Sequence, residues 1–149
     1  DAQMEVVDLT DVADAALAAL DRTRIEIEAD DDVIVRGDQT LLRALVLNAL
    51  ENALKFSEGP VALRIRKGSE ARIEVDDRGP GVPPEERERV FRPFYRSALA
   101  RAGGASGHGI GLALIARVAW VHGGRAEFVE SPRGAALRVH LPLWRSEPA

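Results

Sequence analysis

The chain has 149 residues, of which 46% are hydrophobic and 30% charged, with a net charge of −4 and no cysteine. That length fits one compact domain with its own core. The acidic balance argues against a nucleic-acid binder, and the lack of cysteine excludes disulfides, thiolate nucleophiles and cysteine-bound metals. No apolar run approaches the length that spans a bilayer. The first eight residues lack the basic-then-apolar profile of a secretion signal, and a start at Asp1 rather than Met suggests a piece of a longer chain.

In chain order, residues 7–22 read as a helix. Asp8 or Thr10 can cap it, and Val12, Ala16, Ala19 and Leu20 recur near helical spacing. Residues 24–29 alternate, with Ile25 and Ile27 on one face, and read as a strand. Residues 33–35 read as another, beyond an acidic turn at Asp30, Asp31 and Asp32. A long helix is predicted over 38–56, with a broad apolar face of Leu41, Leu42, Leu45, Val46, Ala49, Leu50, Ala53 and Leu54, ended by Glu58-Gly59-Pro60. Residues 61–66 and 71–76 each alternate, joined by a hairpin-like Lys67-Gly68-Ser69-Glu70. Residues 79–84 are too rich in Gly and Pro for regular structure, and a short helix is expected over 84–90. Residues 92–108 have no periodicity and read as a long functional loop. Helix is expected again over 109–121, stopped by Gly123-Gly124, then strands over 125–130 and 135–141 and a tail from Pro142. Several strands adjacent in sequence argue for an α+β sandwich: a mixed, mainly antiparallel sheet with about three helices on one face.

Three clusters carry chemistry. In Asn48-Ala49-Leu50-Glu51-Asn52-Ala53-Leu54-Lys55-Phe56, Asn48 and Asn52 share one helix face, as do Glu51 and Lys55. Paired amides offer neutral oxygens to Mg²⁺, and Lys55 could reach a phosphate. Taken alone, the cluster is more simply a solvated polar stripe. Asp76-Asp77-Arg78-Gly79-Pro80-Gly81 ends a predicted strand. A carboxylate there can accept from an exocyclic amine beside glycines that admit a planar ring, or the segment is a plain Asp/Gly turn. Gly107-His108-Gly109-Ile110-Gly111-Leu112 opens a helix, whose free N–H groups favour phosphate. It is neither a Walker A loop nor a good dinucleotide fingerprint.

In this order and spacing, the clusters resemble the catalytic, ATP-binding domain of sensor histidine kinases. That domain falls within the wider ATPase group with the Bergerat-type fold, which includes gyrase, mismatch-repair and heat-shock ATPases. The segment from Asn48 to Phe56 looks like the N box and Asp77-Arg78-Gly79-Pro80-Gly81 like the first glycine box. Phe91-Arg92-Pro93-Phe94 looks like the F box, and Gly107-His108-Gly109-Ile110-Gly111-Leu112 like the second glycine box. His122-Gly123-Gly124-Arg125 and the two strands after it are similar to the usual ending. The resemblance covers nearly the whole chain as one domain, residues 1–149, without the dimerisation and phosphoacceptor domain.

The resemblance implies a role for each matching residue. Asn52 would be the main Mg²⁺ ligand, helped by Asn48. Lys55 would contact phosphate and Phe56 would flank the adenine. Asp77 would accept from the adenine amine, with Gly79 and Gly81 shaping the base pocket. Phe91 and Phe94 would anchor an ATP lid, and Arg96 could touch phosphate. Gly107, His108, Gly109, Ile110, Gly111 and Leu112 would line the closing lid, with the His108 ring more simply facing water. Glu51 would order water or serve as a polar neighbour. Gly134-Ala135-Ala136 departs from the usual third box, which has a hydroxyl. His122 and His140 are assigned to structure.

By the same resemblance, Mg-ATP would donate its γ-phosphoryl to a histidine on the kinase's own dimerisation domain, ahead of a response regulator, with no nucleic acid involved. A monomeric fragment of a homodimeric kinase is expected, cytoplasmic, with its parent held in the inner or plasma membrane. Two rivals share the pocket. An anti-sigma-type protein-serine kinase is disfavoured by the phenylalanine-bearing segment from Phe91 to Tyr95. A stand-alone ATPase would need a glutamate four residues before the Mg²⁺ asparagine, where this chain has Asn48.

Overall fold

The computed structural model describes residues 2–95 and 111–145. Alternation along its strands builds the core. In β4 (Val61–Lys67), Val61, Leu63 and Ile65 point inward and are fully buried. They align with Val75 and Ile73 of β5 (Ala71–Asp76), which align in turn with Leu137 and Val139 of β7 (Ala136–Leu141). Phe128 of β6 (Arg125–Val129) completes the row at one edge, and β2 (Ile25–Ala29) lies at the other. The sheet order is β2-β4-β5-β7-β6, with β2 parallel to β4 and every other neighbour antiparallel. This is the expected mixed, mainly antiparallel sheet.

One face of the sheet is covered by α2 (Gln39–Phe56), against β4 and β5, and by α3 (Gly111–Val121), against β6 and β7. The third helix, α1 (Leu9–Leu17), packs on α2 and buries Leu9, Val12, Ala13, Ala16 and Leu17, the i, i+3, i+4 stripe of an amphipathic helix. A second sheet of two strands pairs β1 (Glu5–Asp8) with β3 (Ile34–Gly37).

Several boundaries differ from the sequence expectation. Residues 5–8 form β1, whose partner lies far along the chain, so Val7 and Asp8 precede α1. The helix ends at Leu17 rather than 22, because Asp21 caps a separate 3₁₀ turn, Arg22–Arg24, by accepting from the Thr23 amide at 3.0 Å. The two strands on either side of the acidic turn, β2 and β3, belong to different sheets. The helix expected over 84–90 is two 3₁₀ turns, Pro84–Glu86 and Arg89–Phe91. The expected tail is fastened as far as Trp144, whose amide donates to the Ile34 carbonyl at 2.8 Å.

Both ends of α2 are tied down. At the N-cap, Asp38 Oδ1 accepts from the Leu41 amide at 2.9 Å and Oδ2 from the Gln3 amide at 2.7 Å. Those backbone donors hold the Asp38 carboxyl below the usual carboxylate range. The Asp38 amide donates to Nε2 of buried His122 at 3.0 Å, and His122 Nδ1 donates to the Val118 carbonyl at 2.7 Å. Accepting at Nε2 and donating at Nδ1 requires the neutral ring, which bears out the structural assignment of His122. At the C-terminal end, Arg24 donates to the carbonyl of Leu54 in the last turn and to those of Ser57 and Gly59 just beyond the helix.

The other face of the sheet is charged and self-paired. Glu74 accepts from Arg64 at 2.8 Å and from Arg72 at 2.6 Å, while Asp76 pairs with Arg64 and, at 2.6 Å, with Arg138. Burial opposes ionisation of both carboxyls. The hydrogen bonds and charges of Arg64, Arg138 and Arg72 on Glu74, and of Arg138 and Arg64 on Asp76, outweigh it and hold both below their ordinary values. Carboxyls lowered in the folded state stabilise the fold above the unfolded value, near pH 4, and lose that contribution as acid carries them through their folded values. Glu74→Gln is expected to cost about 1–3 kcal/mol at pH 7. Its deficit relative to the unaltered chain should shrink by pH 3, as read from urea unfolding midpoints at the two pH values. A deficit of equal size at pH 3 would show that charge is not its source.

Candidate functional site

The inner end of β5 carries the most constrained polar group near the predicted clusters. Asp77 follows the strand directly and is buried. Its Oδ1 accepts from the Gly79 amide at 2.8 Å, closing a tight turn, and from the Ala135 amide at 3.1 Å. The Asp77 amide donates back to the Ala135 carbonyl at 3.0 Å. Charge-assisted bonds from two backbone donors offset the cost of burying this carboxylate. Oδ2 has no hydrogen-bond partner among the described residues, and no buried side-chain oxygen among them lacks one, so Oδ2 opens outward as an acceptor.

Backbone runs close together here. A Cβ on Gly79 would overlap the Phe56 carbonyl oxygen and lie 3.2 Å from Asp77 Oδ1, so the turn packs directly on the last residue of α2. A Cβ on Gly134 would overlap the Asp77 carbonyl oxygen and lie 2.9 Å from the Gly79 nitrogen. Gly81, at φ +81°, borders the Gly134 carbonyl. Sequence reasoning treated Gly134-Ala135-Ala136 as a box lacking a hydroxyl. The structure takes a backbone amide and carbonyl from Ala135, which any residue supplies, and bare space from Gly134. The one sequence signal for this is the glycine, a residue type that close backbone approach demands.

The amide helix lies alongside. Asn48 Nδ2 donates to the Ala44 carbonyl one turn back, at 2.7 Å, and its Oδ1 has no hydrogen-bond partner among the described residues. That oxygen faces Gly111, where a Cβ would sit 3.1 Å away. The N-terminal end of α3, with Gly111 and half-buried Leu112, therefore borders Asn48, while Phe56, two turns further on, borders Gly79. Asn52, between them in sequence, is half-buried, and its side chain forms no hydrogen bond with a described residue. The structure thus joins the amide helix to the aspartate turn and to the start of α3.

Other expected residues are placed less centrally. Glu51 and Lys55 are exposed and form no ion pair with each other. Lys55 Nζ instead lies 5.7 Å from the centre of the Phe56 ring. Phe91 stacks on Phe128 with ring centres 5.4 Å apart and follows buried Val90. Phe94 is not packed as an anchor: it is 72% exposed, with its backbone at φ +66°. Arg96, Gly107, His108, Gly109 and Ile110 lie outside the described residues. No group of three or more His, Cys, Asp or Glu side chains suited to a metal occurs among the described residues.

Residues 37–145 match the family described as histidine kinase-, DNA gyrase B-, and HSP90-like ATPase. The chain is 44% identical, over 93% of its length, to the signal transduction histidine-protein kinase/phosphatase MprB of Mycolicibacterium smegmatis, and spans 30% of that protein. It therefore covers less than a third of the curated relatives it matches. Among solved structures it is similar to a mycobacterial sensor histidine kinase MprB, with a TM-score of 0.81, 35% identity, and 95% of this chain and 98% of that one covered. It is also similar to the ATP binding domain of PrrB from Mycobacterium tuberculosis, with a TM-score of 0.76, 32% identity, and 95% and 98% covered.

If close backbone packing holds Asp77, Gly134→Ala should lower stability by about 2–3 kcal/mol, because the new methyl meets backbone rather than a yielding side chain. Arg133→Ala, exposed on the same loop, should stay within about 0.5 kcal/mol. Thermal or urea unfolding of the two variants checks this, and equal stabilities would remove the packing account.

Proposed function

The chain belongs to the family of histidine kinase-, DNA gyrase B- and HSP90-like ATPases, and from that premise we propose that it is the ATP-binding catalytic domain of a sensor histidine kinase. The observation that carries this reading is the buried Asp77 carboxylate, held at Oδ1 by two backbone amides and open at Oδ2, against the end of the amide-bearing helix. A fixed, outward acceptor of this kind suits the exocyclic amine of adenine, and it selects against a base that presents a carbonyl there.

The remaining roles follow the geometry. Phe56 flanks the base beside the turn formed by Gly79 and Gly81. Asn52 and Asn48 face the phosphate side, and their donor set fits Mg²⁺. The Asn48 Nδ2 is held by the Ala44 carbonyl, the Asn52 side chain has no hydrogen-bond partner among the described residues, and neutral oxygens suit an ion that keeps waters and phosphate oxygens in its octahedron. Mg²⁺, when bound, supplies charge neutralisation to the phosphates. Lys55, exposed one turn on, contributes a mobile cation to the same phosphates, and Glu51 orders water at the rim. Gly111 and Leu112 open α3, whose first N–H groups lie on the side where phosphate would sit. Arg96, Gly107, His108, Gly109 and Ile110 complete this reading as lid residues, with exposed Phe94 beside them in sequence.

The described histidines do not serve as phosphoryl acceptors. His122 is buried with both ring nitrogens engaged, and His140 Nε2 bonds Glu127 at 2.8 Å. In this reading the acceptor belongs to a dimerisation domain of a homodimeric kinase acting ahead of a response regulator. This domain positions the γ-phosphoryl for attack, and most catalytic help in such transfers is positioning and charge neutralisation. No helix among the described residues is long and apolar enough to cross a membrane. In this reading the domain sits on the cytoplasmic side of a membrane-anchored parent, as a monomer when alone. Asn48 also weighs against a self-contained ATPase, since an amide tied to its own helix cannot take a proton from water.

Two experiments test the reading. Mg-ATP at about 100 times Kd should raise apparent stability by about 2.7 kcal/mol, seen as a thermal shift that Mg-GTP does not match. No response to ATP removes the proposal. Asp77→Asn should lose most of the preference for adenine over guanine nucleotides in direct binding measurements, because its amide presents a donor where an acceptor is needed. Undiminished ATP preference in that variant would show that the base sits elsewhere.

A further inference from the structure

Arg24 touches none of the residues assigned to nucleotide, yet it ties together the wall on which the base turn rests. It lies in the 3₁₀ turn ahead of β2, half-buried. Its Nη1 donates to the Leu54 carbonyl at 3.3 Å and its Nη2 to the Ser57 carbonyl at 2.6 Å. Nε and Nη2 both donate to the Gly59 carbonyl, at 3.2 and 3.0 Å. The last carbonyls of a helix lack partners within it, and the negative end of the helix dipole attracts a cation. A guanidinium, with five donors in one plane, can bind three carbonyls at once, which an ammonium cannot do in the same geometry.

The three carbonyls bracket Phe56. The Phe56 carbonyl is the group against which Gly79 packs, and a Cβ on Gly59 would lie 3.8 Å from the Arg78 side chain. The segment that Arg24 gathers therefore touches both Arg78 and Gly79 of the turn whose Gly79 amide holds Asp77 Oδ1. We infer that Arg24 is a positioning residue for base selection: its hold on the end of α2 sets the height of Phe56 and the aim of Asp77. The inference rests on the adenine reading of Asp77. Its test, however, separates the two. Asn48 lies two turns back along the helix and borders α3 rather than the base turn, so the loss should fall on base preference more than on phosphate binding.

The experiment compares Arg24→Met, Arg24→Lys and Arg66→Met in the whole chain. Arg66 pairs with Glu28 and Asp30 on the charged face, and its loss controls for weakening the β2–β4 edge without touching α2. Binding of Mg-ATP and Mg-GTP is measured by calorimetry well below the unfolding temperature, and backbone amide signals are compared without nucleotide. Arg24→Met is expected to weaken Mg-ATP on the order of tenfold, to narrow the ATP-over-GTP preference, and to shift the Asp77 and Gly79 amide signals. Arg24→Lys should recover part of each effect, and Arg66→Met should bind ATP within about twofold of the unaltered chain. If Arg24→Met only melts earlier, with unchanged preference and unmoved Asp77 and Gly79 signals, Arg24 is merely structural and the inference fails. Should Arg24→Met not fold, Arg24→Lys carries the same comparison. If the unaltered chain binds no ATP, the nucleotide reading fails. The amide signals, which need no nucleotide, then still decide whether Arg24 holds the turn.

Discussion

A buried carboxylate cannot remain charged without donors, and Asp77 has two of them, both from backbone. Most of the site follows from that constraint. The Gly79 donor requires the chain to fold back immediately after β5. The Ala135 donor requires the segment before β7 to run alongside. Both approaches leave no room for side chains at Gly79 and Gly134. The carboxylate is thereby fixed on a rigid sheet edge, with one oxygen committed and the other presented. This is the form of preorganisation that lets a single acceptor discriminate between bases without reorganising when a ligand arrives.

The helix opposite is held just as firmly, by different means. At its start Asp38 and neutral His122 join α2 to α3 and to the chain ahead of β1, and at its end Arg24 ties the Leu54 carbonyl of the last turn to those of Ser57 and Gly59 beyond it. A broad apolar face buries Leu42, Leu45, Val46, Ala49 and Leu50 on the sheet and fixes the helix about its axis. Asn48 and Asn52 are thus carried at a set distance along a rod whose two ends cannot slide. Glu51, Lys55 and Phe94, by contrast, are exposed.

Much of this was readable from the sequence, for local reasons. The hairpin of β4 and β5 is legible because period-2 alternation on both sides of Gly68 has only one short-range solution. The long helix is legible because eight apolar residues at helical spacing follow a capping aspartate. What was illegible depended on distant partners. β1 is four residues long and exists because β3 pairs with it. The stop of α1 at Leu17 was hidden because Ala19 and Leu20 continue the apolar pattern while the chain turns away. Phe94 matches the expected box by sequence, yet its ring is left exposed by a backbone at positive φ that residue type does not announce.

By itself the sequence determined the long helix and the β4–β5 hairpin, where the glycine-rich turns fall, and that amides, an aspartate and a glycine loop occur in the order of a known nucleotide-binding family. These are properties of residue type and spacing, which short-range sterics and hydrophobic periodicity fully express. Tertiary structure alone decided which oxygen of Asp77 is free, that Asn48 turns its donor inward, that His122 is a neutral acceptor, and that Arg24 closes the end of the helix. Each of those depends on a hydrogen bond to a backbone group whose position is set by packing elsewhere. The bonds from Ala135 to Asp77 and from Asp38 to His122 span 58 and 84 residues of chain, distances over which residue type carries no signal of contact.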